Sequence, residues 1–247
     1  MVILDSHLHL GDCRVFDQLI TEEMLFETME KYGVEKAILQ PYPGAEDEKD
    51  IHERIYKLTK QYPDKFFGVA SVNPHLFSKQ DYKNYIRHYI EDFGFYGVKL
   101  HTIGHAVNPL TPDGQTVCET AAELGVTLFT HTGLGVPFSL PSLIMPVAKR
   151  YPEMKIVFAH SGAGFLSSEA LIIAEQCPNI YLEMSWVNVE DTEKAIDTIG
   201  SGRIMYGSDS LYNFPTGINI FESIPLSDEQ KADVFFNTAV EAFDLRI

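Results

Sequence analysis

Cysteine is scarce in this chain, with three residues in 247, namely Cys13, Cys118 and Cys177. The odd number and the wide spacing argue against a disulfide framework and against a cysteine-based zinc site. Positive charge is scarce as well, because 19 Lys and Arg stand against 35 Asp and Glu, for a formal net charge of −16. This acidic excess argues against nucleic acid and anionic membrane surfaces as partners, since both are polyanions that bind basic surfaces.

Long apolar segments and targeting signals are also missing. No apolar run approaches the roughly 18 residues of a membrane-spanning helix. The N-terminal residues resemble the start of a strand, because the basic segment and the long apolar core of a secretory signal are absent. We therefore expect a soluble, cytoplasmic protein. No linker, low-complexity segment or repeat interrupts the chain, which predicts one domain over residues 1–247.

What the sequence does contain is a regular alternation of short apolar runs with longer amphipathic stretches. Continuous runs rich in Val, Ile, Phe and Leu are typical of parallel strands that are buried on both faces. The predicted strands are 2–6, 35–40, 66–71, 95–100, 126–131, 155–160, 179–184 and 203–208. The predicted helices are 17–32, 46–62, 78–92, 113–124, 139–150, 167–176, 190–199 and 228–243.

Eight strand–helix units of this kind predict a single closed (β/α)₈ TIM barrel of the α/β class. A dinucleotide-binding sheet is disfavoured, because no Gly-x-Gly-x-x-Gly motif follows the first strand. The longer loops follow predicted strands and comprise residues 102–112, 132–138, 161–166 and 210–224. In a barrel such loops lie at the C-terminal face, where active sites are built.

Polar side chains with metal-binding or catalytic potential fall at the ends of the predicted strands. His7 and His9 are one residue apart at the end of strand one, so both imidazoles lie on one face of the strand. His131 ends strand five, His160 ends strand six and Asp209 follows strand eight. Because strand eight lies beside strand one in a closed barrel, we expect Asp209 next to the two histidines, with His131 across the mouth.

Three histidines and one aspartate suit zinc or another borderline divalent ion, which predicts a single ion on His7, His9, His131 and Asp209. Such an ion lowers the pKa of a bound water to roughly 7. Asp209 is then expected to accept a proton from that water, and His160 to polarise a carbonyl or stabilise an oxyanion. Zinc is the first expectation for the metal, with manganese and iron as alternatives.

Three further residues are predicted to bind substrate. Lys99 and His101 end strand four, and Arg14 lies just past strand one. For Lys99, a salt bridge inside the barrel mouth and a carboxylated lysine that bridges two ions both stay open. Arg14 would pair either with a substrate carboxylate or with a surface acid.

Six motifs spread over most of the chain carry a resemblance to a known family: Asp5-Ser-His-Leu-His9, Val72-Asn-Pro74, Gly97-Val-Lys-Leu-His101, His131, Ala159-His-Ser-Gly162 and Gly207-Ser-Asp209. With them the chain resembles the amidohydrolase superfamily of metal-dependent barrels, in particular the branch with aminocarboxymuconate-semialdehyde decarboxylase and related aryl-acid decarboxylases. The resemblance implies the same four ligands around one ion, usually zinc, and a catalytic or substrate-orienting role for His160. The segment after Asp209 departs from the family, which often has Gly-Ser-Asp-x-Pro there.

The first functional expectation is a metal-dependent hydrolase that uses activated water on an amide, ester or lactone of a small molecule, because the chain is short for the decarboxylases. Non-oxidative decarboxylation of an aromatic or enoic acid on the same site is the alternative. A nuclease of the TatD type shares the opening His-x-His, but its glutamate-bearing strand motif is not evident here. A non-catalytic ligand-binding barrel is the rival from another class. A homodimer is also considered, since barrels of this class often pair.

Overall fold

The computed structural model describes residues 1–133, 135 and 137–247. Within that part of the chain the strands are β1 (Leu4–Cys13), β2 (Gln18–Ile20), β3 (Lys36–Pro41), β4 (Phe66–Ala70), β5 (Gly97–Leu100), β6 (Thr127–His131), β7 (Ile156–Ala159), β8 (Ile180–Glu183) and β9 (Ile204–Met205). They form one sheet in the order β2-β1-β3-β4-β5-β6-β7-β8-β9. Each neighbouring pair is parallel except β1 and β2, which form an antiparallel hairpin.

Bonds between the two ends of the sheet close it into a barrel. The backbone N–H of Ser6 donates to the carbonyl of Tyr206 at 3.1 Å, and the N–H of Asp209 donates to the carbonyl of His7 at 2.7 Å. Leu8 and Asp209 are also paired in parallel register. The predicted (β/α)₈ barrel is thereby confirmed, and Asp209 lies beside the first strand.

The helices of the described residues cover the outside of this barrel. They are α1 (Glu22–Tyr32), α2 (Glu48–Gln61), α3 (Lys79–Arg87), α4 (Pro112–Leu124), α5 (Met145–Arg150), α6 (Ser167–Gln176), α7 (Val189–Ile199), α8 (Phe214–Glu222), α9 (Asp228–Ala232) and α10 (Thr238–Ala242). Short π-helical turns extend α3 and join α9 to α10. In the part of the chain described, none of these helices has the length and apolar character needed to cross a membrane.

The first strand is longer than its apolar run predicts. It continues to Cys13 instead of ending at residue 6, so His7 and His9 lie within it. Its pairing with β3 shifts register between Asp5 and Leu8, which marks an irregularity beside His7. The backbone pairing with β3 extends the strand through the polar residues, and this pairing cannot be read from hydrophobicity.

Boundaries elsewhere also differ from the sequence prediction: the strands predicted at 95–100 and 203–208 are shorter, and the helix predicted at 139–150 has its α-helical part at Met145–Arg150. The predicted helix 17–32 begins only at Glu22, because residues 18–20 pair with β1 and the side chain of Thr21 caps the helix by accepting from Met24 N. The predicted loop 210–224 contains helix α8. The predicted loop 132–138 includes residues 134 and 136, which lie outside the described residues.

Apolar side chains fill the barrel below its C-terminal mouth. This cluster includes Leu4, Ile38, Phe67, Val69, Phe129, Val157, Tyr181, Met205 and Phe243. Each fully buried large side chain contributes about 1.5–3 kcal/mol relative to an exposed one. The polar side chains at the mouth therefore lie on a closely packed apolar layer. The three cysteines are buried and free, and they pack as small apolar residues.

Candidate metal and catalytic site

Polar side chains from the first and last strands meet at the barrel mouth. His7 Nε2 and His9 Nε2 lie 3.4 and 3.3 Å from Oδ1 of Asp209. His160 joins them from the end of β7, so that one donor atom each from His7, His160 and Asp209 lies within 4.8 Å of the others. Three side chains at this spacing could hold one divalent ion.

Hydrogen bonds set the tautomers of the two histidines on β1. His9 Nδ1 lies 3.1 Å from the carbonyl oxygen of Pro41, which can only accept, so Nδ1 carries the proton. His7 Nδ1 lies 2.8 Å from Oε2 of Glu183, and its Nε2 lies 3.2 Å from Nζ of Lys99. Both imidazoles therefore present an unprotonated Nε2 on the side of the ring that faces Asp209. Metal-ligating histidines are oriented in this way by the hydrogen bond of their other nitrogen.

His160 reaches the cluster through a strained turn. Its φ is 65°, and that of the following Ser161 is 42°, both in the left-handed region. Asp209 has φ 64° and Trp186 has φ 63°. Each such conformation costs about 1–3 kcal/mol, and these conformations concentrate at functional sites. His160, Asp209 and Trp186, whose side chains line the cavity at the mouth, are thus among the strained positions of the chain.

Burial sets the charge of these side chains. It lowers the pKa of His160 to about 4 and holds the pKa of His7 well below its usual range. Burial would raise the pKa of Asp209, but contacts with His160, His9 and His7 outweigh it and hold this pKa well below its usual value. The cluster at neutral pH is therefore one carboxylate among neutral imidazoles, which is a donor set that suits divalent metal ions.

Lys99 lies beneath the cluster, outside the cavity lining. Its side chain is 1% exposed, and its Nζ lies 3.8 Å from the centre of the Phe129 ring. Burial lowers the pKa of Lys99 to about 7, against the opposing effect of Asp209 and Glu183. The amine contacts the imidazole of His7 and the face of Phe129. The sequence had suggested either a salt bridge with a carboxylate or a carboxylated lysine at this position.

A cavity of about 240 Å³ opens above the donor cluster. Pockets for drug-sized ligands are typically about 300–1,000 Å³, so this one suits a smaller molecule. Tyr42 forms part of the wall and stacks on His9, with ring centroids 4.3 Å apart and an interplanar angle of 6°. The lining consists of His9, Phe16, Gln18, Tyr42, His101, Ile103, His131, His160, Ala163, Trp186 and Asp209.

Most, but not all, of the residues predicted from the sequence reach this cavity. His101 and His131 line it, with rings stacked 5.2 Å apart. His131 also lies 4.8 Å from the His160 ring. Arg14 does not reach it: its side chain is 67% exposed and pairs with Glu46 at 2.7 Å. The structure thus shows the surface ion pair for Arg14, which was the second of its two expectations.

Sequence reasoning missed Glu183 and Ser185, which contact His7 and His160 from below. Glu183 ends β8 and is fully buried. A carboxylate at the end of an otherwise apolar run was the available signal, because a buried charge needs specific partners. Tyr42 and Phe16 were missed as wall residues, and nothing in their local sequence distinguishes them from ordinary core or loop aromatics.

A closed (β/α)₈ barrel with histidines and an aspartate at its C-terminal mouth defines a class of metal-dependent barrel enzymes. The family described as Amidohydrolase matches residues 5–245, and the chain belongs to this family. The recognition made from the sequence motifs is thereby confirmed. No curated protein matches the chain in sequence.

Solved structures share this fold over nearly the whole chain. An uncharacterized TIM-barrel protein from Bordetella bronchiseptica has a TM-score of 0.80 and 16% identity, covering 99% of each chain. 5-Carboxyvanillate decarboxylase from Sphingomonas paucimobilis has a TM-score of 0.77 and 12% identity, covering 99% of each chain. Dihydroxybenzoic acid decarboxylase from Polaromonas sp. JS666, with bound manganese, has a TM-score of 0.74 and 16% identity, covering 100% of this chain and 98% of the other. At these identities the similarity shows the fold.

Proposed function

We propose that the chain is a metal-dependent decarboxylase of a small planar carboxylic acid, aromatic or enoic. The cavity carries this proposal, because flat walls from Tyr42, Phe16 and Trp186 stand over a floor of histidines and Asp209. The two decarboxylases with the same fold support it. Hydrolysis of an amide, ester or lactone on the same donors was the first expectation from the sequence, and it is the rival outcome in the experiment below.

The residues present fit a divalent ion. The fit rests on His7 and His9, whose Nε2 atoms lie 3.4 and 3.3 Å from Asp209 Oδ1, on the donor atoms of His7, His160 and Asp209 within 4.8 Å of one another, and on the burial that keeps His7 and His160 neutral. We propose His7, His9, His131 and Asp209 as the ligands, with His160 facing the substrate. When bound, the ion supplies positive charge that holds a substrate carboxylate and stabilises negative charge on the substrate. Zinc, manganese and iron all suit this donor set.

The cavity walls orient the substrate. Tyr42 and Trp186 offer flat faces against which a ring or an enoic chain packs. His101 Nδ1 accepts from the N–H of Gly104 at 3.1 Å, so the proton of His101 is on Nε2. His101 is therefore a hydrogen-bond donor for a substrate oxygen. Lys99, held beneath His7, contributes positive charge from below whenever it is protonated.

The reaction also needs a proton. When the bond to CO₂ breaks, its electron pair stays on the substrate carbon, and a proton must replace the lost carboxylate. His160 is placed to relay a proton from solvent through Nε2, which carries a lone pair because Nδ1 is engaged 2.7 Å from Ser185 Oγ; it takes the proton up and passes it to the carbon. Asp209 has its two oxygens committed, Oδ1 to the histidines and Oδ2 to Trp186 Nε1 at 2.8 Å. We therefore assign proton delivery to His160 and orientation of the ion to Asp209.

Isotopes from the solvent separate the two chemistries. The protein loaded with manganese or zinc is offered a panel of hydroxybenzoates and enoic acids, together with esters, lactones and amides, in D₂O and in H₂¹⁸O. Decarboxylation is expected to release CO₂ and to place one deuterium on the carbon that carried the carboxyl group. Incorporation of ¹⁸O into an acid product without CO₂ release would identify a hydrolase. Binding without turnover of any compound would favour a ligand-binding barrel, and Asp209→Asn is the inactive control.

Other expectations from the sequence stay predictions. They are a small-molecule substrate, the absence of nucleic acid and membrane partners, a homodimer and a cytoplasmic location. The barrel mouth does carry exposed aromatic side chains, of which Phe165 and Tyr212 are 78% and 82% exposed. Mass measurement in solution tests the dimer directly.

A further inference from the structure

We propose that Glu183 is a positioning residue that fixes the tautomers of His7 and His160 together, an inference that rests on the proposed metal-dependent function of this site. Glu183 is fully buried at the end of β8. Four donors converge on its carboxylate. Oε2 lies 2.8 Å from His7 Nδ1, 3.0 Å from His160 N and 2.9 Å from Ser185 Oγ, and Oε1 lies 2.6 Å from Ser185 N.

These contacts determine where the protons lie. Ser185 Oγ has one proton and donates it to Glu183, so it accepts from His160 Nδ1 at 2.7 Å. His160 is therefore protonated at Nδ1, and its Nε2 is left with a lone pair. His7 donates directly from Nδ1 to the same carboxylate oxygen, with the same result for its Nε2. Lys99 Nζ, 3.2 Å from His7 Nε2, is a donor on the opposite side and agrees with this assignment.

The consequence is that one carboxylate controls two imidazoles that arrive from different strands. With both Nδ1 atoms protonated, the Nε2 atoms of His7 and His160 each present a lone pair that can bind an ion or receive a proton, and in His7 an ion would take the place of the Lys99 contact. The other tautomer of either ring would place an N–H group at the cluster and oppose a cation there. A partner behind the ring that holds the tautomer is worth about 10–100-fold in metal affinity.

Packing around Glu183 supports a dedicated place for this carboxylate. A Cβ at Gly207 would lie 2.6 Å from Glu183 Oε1 and 2.9 Å from His7 Cβ, so a side chain there would displace the pair. The backbone N–H of His160 also donates to Glu183 Oε2, and this bond holds the left-handed turn at His160. The segment after β9 and the turn after β7 thus both accommodate the carboxylate.

The test uses the full chain without metal or substrate. Protein labelled with ¹⁵N-histidine is examined by long-range ¹H–¹⁵N correlation, which identifies the protonated nitrogen of each ring. The wild type is expected to show His7 and His160 protonated at Nδ1. Glu183→Ala is expected to give mixed tautomers for both rings and a manganese or zinc affinity about 10–100-fold weaker by calorimetry. Glu183→Gln keeps an acceptor at the Oε2 position and is expected to rescue both tautomers.

Ser185→Ala is the matched control, because it removes the link to His160 and leaves the bond from His7 to Glu183 in place. It is expected to change the tautomer of His160 alone and to leave metal affinity unchanged. If Glu183→Ala folds and keeps the wild-type tautomers, the proposal is overturned. If Glu183→Ala does not fold, wild-type tautomers in Ser185→Ala would overturn it. These readouts need no substrate, so they are independent of the proposed reaction. If the wild type shows the expected tautomers but releases no CO₂, decarboxylation is rejected and the positioning role of Glu183 still stands.

Discussion

Trp186 donates a hydrogen bond from its indole Nε1 to Oδ2 of Asp209 at 2.8 Å, while Oδ1 of the same carboxylate faces His7 and His9. The indole is half exposed at the cavity rim, so a wall residue is tied directly to the donor cluster. The bond prevents free rotation of the carboxylate and reserves one oxygen for the histidine side. We therefore expect substrate contact at the wall to be coupled to metal binding at the donor cluster.

Replacement of Trp186 by Phe tests this coupling, because it keeps an aromatic wall and removes the N–H donor. A hydrogen bond to a charged group contributes about 1.5–3 kcal/mol, and partial exposure reduces it here to about 1 kcal/mol. We expect metal affinity to fall roughly fivefold, measured by calorimetry. Tyr212→Phe, an exposed aromatic that leaves the Asp209 bond intact, is the control and should bind metal normally. Equal affinity of Trp186→Phe and wild type would show that Asp209 is oriented by its histidine contacts alone.

His131 and His160 are distinguished by metal content. If His131 is a ligand and His160 faces the substrate, His131→Asn loses most of the metal, whereas His160→Asn keeps about one ion per chain and loses turnover. Removal of a ligand lowers affinity far more than removal of a residue beyond the ion. The measurement is metal per chain by elemental analysis after purification without chelators. Metal loss in His160→Asn with retention in His131→Asn would reverse the two assignments and favour the His7, His160 and Asp209 cluster as the ligand set.

His52 makes stability depend on pH at a place remote from the mouth. Its Nδ1 donates to the Glu48 carbonyl at 2.7 Å, its Nε2 accepts from Ser71 N at 3.0 Å, and its ring stacks on Tyr89. Burial lowers the pKa of His52 from 6.5 to about 3. Between these values the unfolded chain binds the proton and the folded chain does not, so stability present above pH 6.5 is lost as the pH falls towards 3.

At pH 5 this contribution amounts to a loss of about 2 kcal/mol. His52→Gln can donate and accept in the same place without titrating. We expect its free energy of unfolding in urea to fall by about 2 kcal/mol less than that of the wild type between pH 7.5 and pH 5. Gln61→Ala, a change of a non-titrating residue at an exposed position of the same helix α2, is the control and should retain the wild-type pH dependence. A wild-type pH dependence in His52→Gln would mean that His52 does not carry this effect.

The barrel could be predicted because its signal is local and repeated. The helix predicted at 167–176 is α6 with the same bounds, since its apolar spacing and polar flanks lie within one segment. Strand β2 and helix α8 were missed for the opposite reason. β2 is only three residues long and exists because it pairs with β1, and α8 lies in a segment whose turn-forming start resembles a loop.

The site residues that could be predicted are those in which a polar side chain directly follows an apolar run. His160 and Asp209 follow apolar runs in which polar groups are out of place, and barrel closure brings Asp209 to the first strand. Glu183 was missed because two of its donors, His7 on β1 and the backbone of His160 after β7, are distant in sequence and are brought to it only by the folded barrel. The pairing of Arg14 with Glu46 depends on the conformation of two loops, which composition does not encode.

Gly207 should be intolerant of any side chain, since an alanine Cβ would lie 2.6 Å from Oε1 of Glu183, well inside contact distance. Relief requires movement of a buried carboxylate that four donors hold, and overpacking of this kind costs about 1–3 kcal/mol. We expect Gly207→Ala to be destabilised by that amount in urea and also to bind manganese more weakly, because the displaced Glu183 no longer supports His7. Gly202→Ala is the matched control, because a Cβ there meets nothing within 4 Å. If Gly207→Ala loses stability but binds metal as the wild type does, the carboxylate can move without disturbing His7, and the close packing of Gly207 serves the fold alone.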